Sequence, residues 1–199
     1  IGKFFSARQL GLYSRAQGFA TLPSSNVSGI LGSVTFPILS KINNDTPRLM
    51  RIYRQMIKTA AFIVFPLMLG LFAISDPLVK VLLNRQWYDC ILILQLLCCA
   101  LLWQPISAIN LSILKVIGRT DILLKLEIIK RIAGIISIVC SVPFGIIGMC
   151  IGYIILYLFC FILNTIYISK ITDTPLFVYF KDIVPPLLAS ISMGGIVLG

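Results

Sequence analysis

Histidine is absent from this 199-residue chain, and only seven side chains are acidic: Asp45, Asp76, Asp89, Asp121, Glu127, Asp173 and Asp182. Proton-transfer and metal-assisted chemistry need clustered imidazoles or carboxylates. Seven carboxylates scattered over the chain argue against a sugar transferase or ligase, and the chain reads as a non-enzyme with no cofactor and no metal. Six cysteines are present, but there is no CxxC and no histidine to complete a metal site. Five of them sit within apolar stretches and read as small hydrophobes packed between helices. No basic run is interleaved with aromatics, so the formal net charge of +10 does not point to nucleic acid. A secretory signal with a basic head and a cleavage site is also missing. The chain lacks an initiating Met and stops within the apolar "SISMGGIVLG", so it reads as a piece of a larger membrane protein.

Carbon is what the chain has in abundance. It is 58% hydrophobic and 12% charged, with a mean hydropathy of +0.99. Soluble domains carry about twice that share of charge. The composition therefore predicts an all-α integral membrane protein of about six transmembrane helices, each needing roughly 20 apolar residues. The expected spans are 11–39, 56–75, 91–114, 123–142, 146–168 and 183–199, the last cut off by the end of the sequence.

The basic residues fall into short clusters between these spans. The 38–58, 115–122 and 169–182 connections hold or border Lys41, Arg48, Arg51, Arg54 and Lys58; Lys115, Arg119 and Lys125; and Lys170 and Lys181. The opposite side has Lys80 and Arg85, none in the "VPFG" turn, and Lys3, Arg8 and Arg15 ahead of or at the start of the first span. The positive-inside rule makes the richer connections cytoplasmic and puts Arg15 at the periplasmic end. In "GRTD" (118–121), Thr120 or Asp121 is expected to cap a helix after a glycine break, and Ser75 of "SDP" to cap another. That second helix opens "PLVKVLLNRQW", a short apolar and basic stretch of the kind found at a membrane surface.

One span carries more charge than a bilayer tolerates. "LLKLEIIKRIAG" (123–134) contains Lys125, Glu127, Lys130 and Arg131. Lys125 is near enough to the cytoplasmic edge to snorkel. Lys130 and Arg131 fall roughly 10–12 Å from the cytoplasmic end, where exposure to lipid costs from about 2.5 to more than 10 kcal/mol each. Glu127, three and four residues earlier, can pair with either cation but not neutralise both. Either this face looks into a wet cavity that admits an anion, or the basic stems reach back to the headgroups. Glu127 is also a candidate ion-coupling carboxylate.

Two further spans have polar faces. Ser14, Gly18, Thr21, Ser25, Ser28 and Gly32 recur at steps of three and four, forming a stripe of small residues that either packs on another helix or lines a polar passage. Gln104, Ser107 and Asn110 surround Pro105, where helix–helix hydrogen bonds and a cavity wall are both open readings.

"LGLYSRA", "FPILSK", "DPLVKVLL" with its following tryptophan, "GRTDILLKLEIIK" and "PFGIIG" together resemble the C-terminal half of Wzx-type bacterial polysaccharide flippases, the O-antigen and colanic-acid exporters of the MOP superfamily. The resemblance implies one lobe of a two-lobe, MATE-like helical transporter in the bacterial cytoplasmic membrane. Its cargo would be an oligosaccharide on undecaprenyl pyrophosphate, moved between leaflets by alternating access. Membrane lipids, and a polysaccharide polymerase with other assembly proteins, are the further partners it implies. On that reading Lys130 and Arg131, with Lys125 and Arg15, are candidate substrate-binding cations. Ser14, Thr21, Ser25, Ser28, Gln104 and Asn110 are candidate cavity-lining residues. A drug exporter of the same superfamily is the alternative. It would favour acidic and aromatic groups, whereas the charges at membrane depth here are net positive.

Overall fold

The structure is a computed structural model that describes residues 6–42, 45–172 and 176–198. Lys3 and Asp173, which entered the charge counts above, lie outside them. Every described element is helical, and eight α-helices follow in order.

α1 (Ala7–Lys41) is 35 residues long and carries Pro23 and Pro37 within it. Its start is fixed by a capping box: the Gln9 amide donates to Ser6 Oγ and the Ser6 amide to Gln9 Oε1, each at 3.3 Å. α2 (Thr46–Ala73) is capped by Asp45, whose carboxylate accepts from the Arg48 amide at 3.0 Å, with Pro47 in the first turn.

The short α3 (Ser75–Leu82) follows almost without a break. Here the expected cap fails. Ser75 already lies inside the helix, and its hydroxyl donates to the Phe72 carbonyl at 2.7 Å, serving the end of α2 rather than the start of α3. A 3-10 turn over Arg85–Trp87 then leads into α4 (Cys90–Leu101) and α5 (Gln104–Val116). These last two form one broken rod, jointed beside Pro105.

Gly118, at φ +77°, ends α5 in a left-handed conformation that only glycine adopts freely. The second expected cap also fails. α6 (Thr120–Ser141) starts at Thr120 itself, and no side chain caps it. Val142–Phe144 forms a 3-10 turn and Gly145, at φ +75°, reverses the chain into α7 (Gly145–Thr172). α8 (Leu176–Leu198) holds Pro185 and Pro186.

Three described stretches are long and apolar enough to cross a membrane: Pro47–Ala73, Cys90–Val116 and Thr120–Ile171. The last is 52 residues, twice a crossing, and it folds as the α6–α7 hairpin. Only 11% of its most apolar window is buried, so this hairpin turns its carbon outwards, where lipid solvates it. The core forms where α2, α4 and α5 meet. Phe65, Met68, Leu94, Leu97, Ile106 and Ile113 are almost wholly buried there. Ala16, Ala20, Ala60 and Ala61, all 0% exposed, let the backbones approach. Trp103, at the joint of α4 and α5, packs edge-on to Phe65 and tilted over Phe161 of α7, with centroids 5.9 and 4.8 Å away.

A second tie joins α2 to α8. Asp182, with its side chain 5% exposed, accepts from Arg54 Nε at 2.8 Å and from the other guanidinium nitrogen at 3.1 Å, while Lys58 Nζ lies 3.0 Å away. Beside it Tyr53 meets Tyr179 edge-on, 6.1 Å between centroids.

Candidate functional site

α5, α6 and α7 enclose a cleft of about 490 Å³. α6 contributes Glu127, Lys130, Arg131 and Gly134 at helical spacings that place them on one face. α7 contributes Tyr153, Tyr157, Cys160 and Asn164, and α5 contributes Gln104 and Ser107.

Lys130 is the half-buried cation of this wall. Its side chain is 12% exposed, and Nζ donates to Glu127 Oε1 at 3.3 Å. Glu127 is 36% exposed, the more open member of the pair. Arg131 also lines the cleft and is exposed. Because α6 begins at Thr120, the ammonium's helix position is about 15 Å along a helix about 33 Å long, near its middle.

Tyr153 and Tyr157 stack edge-on, 4.9 Å between centroids, with hydroxyls 3.4 Å apart. Asn164 is wholly buried, and neither atom of its amide has a hydrogen-bond partner. Ser107 Oγ is likewise buried and unpaired.

The other expected site residues are dispersed. Gln104 reaches the cleft, but its Oε1 also accepts from Ser24 Oγ of α1 at 3.0 Å. Asn110 does not line it: the side chain is buried, and its Oδ1 accepts from the Tyr53 hydroxyl at 2.7 Å, so its role here is to tie α5 to α2. Lys125 is exposed one turn and more before Lys130.

Arg15 stands elsewhere, with its guanidinium 5.3 Å from the centre of the Trp87 ring. With Ser14 and Gly18 it borders a separate cleft of about 490 Å³. Thr21 and Ser28 donate to carbonyls four residues back in α1, at 2.7 Å each, and Ser25 to that of Leu22 at 3.4 Å. A methyl group added at Gly18 or Gly32 would meet nothing within 4 Å. Among the described residues nothing packs closely on Gly18 or Gly32, while Thr21 and Ser28 of the same stripe are half-buried.

Another groove, of about 740 Å³ along the outer α6–α7 hairpin, is lined mainly by apolar side chains such as Ile136, Phe144, Ile151 and Phe159, with Ser137 and Ser141 and no charge. Both serine hydroxyls donate to backbone carbonyls, so the groove offers an anionic cargo no cation. Of the cleft residues, Asn164, Tyr153 and Tyr157 escape sequence reasoning. The signal was there in "CFILNTIYI", where one amide interrupts an otherwise apolar span.

Known proteins match the chain in both sequence and fold. Residues 1–92 match the family described as "Polysaccharide biosynthesis protein". The teichuronic acid biosynthesis protein TuaB of Bacillus subtilis is 26% identical over all of this chain and 41% of its own length. The lipopolysaccharide biosynthesis protein WzxC of Escherichia coli is 29% identical over 83% of this chain and 33% of its own length. Among solved structures, the lipid II flippase MurJ in an inward closed conformation superposes with a TM-score of 0.71 at 19% identity. That match covers 96% of this chain and 45% of MurJ. The chain thus spans less than half the length of these relatives. The resemblance to Wzx-type polysaccharide flippases read from the sequence holds, and the chain is a multi-pass inner-membrane protein similar to bacterial polysaccharide biosynthesis proteins and folded like part of the lipid II flippase MurJ.

Proposed function

We propose that this chain forms one lobe of a carrier that flips undecaprenyl-pyrophosphate-linked oligosaccharide from the cytoplasmic to the periplasmic leaflet. It moves its cargo without making or breaking covalent bonds. One observation carries the reading: Lys130 is 12% exposed, sits at mid-helix depth, and is held by a single carboxylate beside a second cation, Arg131.

Such an arrangement is costly as structure, since one carboxylate cannot balance two cations away from water. It makes sense as a waiting anion site. A diphosphate entering the cleft displaces Glu127 from Lys130 and supplies the missing negative charge. When it leaves, Glu127 closes the pair again, so the empty site never holds a bare half-buried ammonium. The mean cost of that exchange is small, as a carrier requires, because one anion replaces another.

Arg15 and the open stripe of Ser14, Gly18, Thr21, Ser25 and Ser28 face away from the core. In the complete protein they are suited to line the path against the opposite lobe. Lys125 gathers the anionic cargo at the cytoplasmic edge. A polysaccharide polymerase downstream receives the product.

The test replaces both cleft cations, Lys130→Ala with Arg131→Ala, in the complete protein expressed in cells that lack it. Cell-surface polysaccharide is expected to disappear while the protein remains in the membrane. Normal export would sink the cationic-site reading.

A further inference from the structure

Among the described residues, four buried side-chain polar atoms have no hydrogen-bond partner: Thr35 Oγ1, Ser107 Oγ, and both Nδ2 and Oδ1 of Asn164. Three of the four belong to residues lining the cleft that holds Lys130. Buried polar groups are nearly always paired, and an orphaned one calls for a cause. Three in a single cleft call for a common one.

Their chemistry narrows the choice. The Asn164 amide offers N–H donors and a carbonyl acceptor, and the Ser107 hydroxyl does both. The ionised oxygens of a phosphate only accept, so they would leave Asn164 Oδ1 unsatisfied. A metal ion or an ammonium group would satisfy only the oxygens, and Lys130 close by repels it. A hydroxyl both gives and takes, which is what this set matches. Tyr153 and Tyr157 add ring faces of the kind that cover the apolar side of a pyranose, and a hydroxyl pair of their own. At about 490 Å³ the cleft falls in the range of small-molecule sites.

We infer that Ser107 and Asn164 form a neutral subsite for the hydroxyl groups of the sugar joined directly to the phosphate that Lys130 and Arg131 hold. The inference rests on the proposed function, and it adds to that reading the part of the cargo that the cleft recognises. The anion supplies attraction common to every glycosyl phosphate, while the amide and hydroxyl prefer a phosphate that carries a sugar to one that does not.

The experiment uses the complete purified protein in detergent. Binding of inorganic phosphate is compared with binding of three hexose 1-phosphates: glucose, galactose and N-acetylglucosamine. The wild type is expected to prefer at least one sugar phosphate over phosphate by about tenfold, the worth of one or two added neutral hydrogen bonds. Ser107→Ala with Asn164→Leu, both sterically mild, should abolish that preference and leave phosphate affinity unchanged within about twofold. Its melting temperature should stay level or rise, since unpaired polar groups are removed from a buried place.

Three results overturn the subsite. One is a wild type without the preference. Another is a double variant that keeps it, which would make the three atoms a water site. The third is a double variant that melts markedly lower, which would mean that the amide and hydroxyl are held by structural bonds. Lys130→Ala with Arg131→Ala runs alongside. If that variant binds phosphate as the wild type does, the anion reading has failed on its own account. If it loses phosphate while the Ser107–Asn164 variant keeps its sugar preference, only the subsite has failed.

Discussion

Asp182 provides the sharpest test of what holds this lobe together. The carboxylate bridges α2 and α8, is 5% exposed, and satisfies Arg54 twice and Lys58 once. Asp182→Ala removes all three contacts. Removing one partner of a fully buried pair costs about 3–5 kcal/mol. The cations here are 36% and 52% exposed, however, and regain water when abandoned. That lowers the expected loss to about 2 kcal/mol, roughly a 30-fold drop in the folding equilibrium constant.

The built-in control is Arg8→Ala. Arg8 pairs with Asp89 at 2.9 Å, a distance no worse, but the two side chains are 73% and 65% exposed. Its loss should cost less than about 0.5 kcal/mol. Both variants go into the complete protein, purified in one detergent, and are followed by denaturant titration monitored by tryptophan fluorescence. If Arg8→Ala costs as much as Asp182→Ala, or Asp182→Ala costs nothing, burial is not what sets the strength of these pairs and the reasoning fails.

Further expectations follow from other contacts. Tyr53→Phe leaves Asn110 Oδ1 buried without its donor, so the same titration should register a loss of about 1–3 kcal/mol. A methyl group at Gly152 would meet Ser141 Oγ at 2.6 Å and Ser137 Oγ at 3.1 Å; Gly152→Ala should therefore wedge the α6–α7 hairpin apart and cost about 1–3 kcal/mol. Gly18→Ala, with nothing near it, should be neutral or gain up to about 1 kcal/mol from helix propensity; equal losses at both glycines would contradict the packing described. Glu127→Gln removes the internal competitor for Lys130, so inorganic pyrophosphate should bind several-fold more tightly, as titration calorimetry would show. Unchanged or weaker binding would mean that Glu127 does not occupy the anion's place.

How much of this was legible beforehand depended on the range of the interaction. Hydropathy and the Gly118, Pro143 and Gly145 signals are local, and they located the α5–α6 and α6–α7 turns. The Glu127–Lys130 pair was legible for the same reason, since helix geometry alone brings residues three apart together. The Ser75 and Thr120 caps were misjudged because capping depends on the backbone before the helix. At Ser75 the preceding helix had not ended. The Arg54–Asp182 tie joins residues 128 apart, and no spacing rule connects them. Gln104 and Asn110 looked alike in the sequence, and only packing separated the one that reaches the cleft from the one consumed by Tyr53. Asn164 was overlooked because a single amide in an apolar run carries no periodicity, although its isolation is itself informative.

The length of α1 bears on how the molecule sits in its surroundings. Thirty-five residues make a rod of about 52 Å, whereas the hydrocarbon layer is about 30 Å thick. Either α1 leans by up to about 55° or its ends stand clear in water. α6, at 22 residues, is about 33 Å long and has almost nothing to spare. If both rods span the layer, α6 leans by about 25° and α1 by about 55°. A layer thinned to about 25 Å takes them to about 40° and about 60°, bringing the two closer to parallel, while a thicker one sets α6 upright and leaves α1 inclined. Acyl-chain length, a property of the host cell rather than of the protein, thereby sets the angle at which this lobe presents its open stripe.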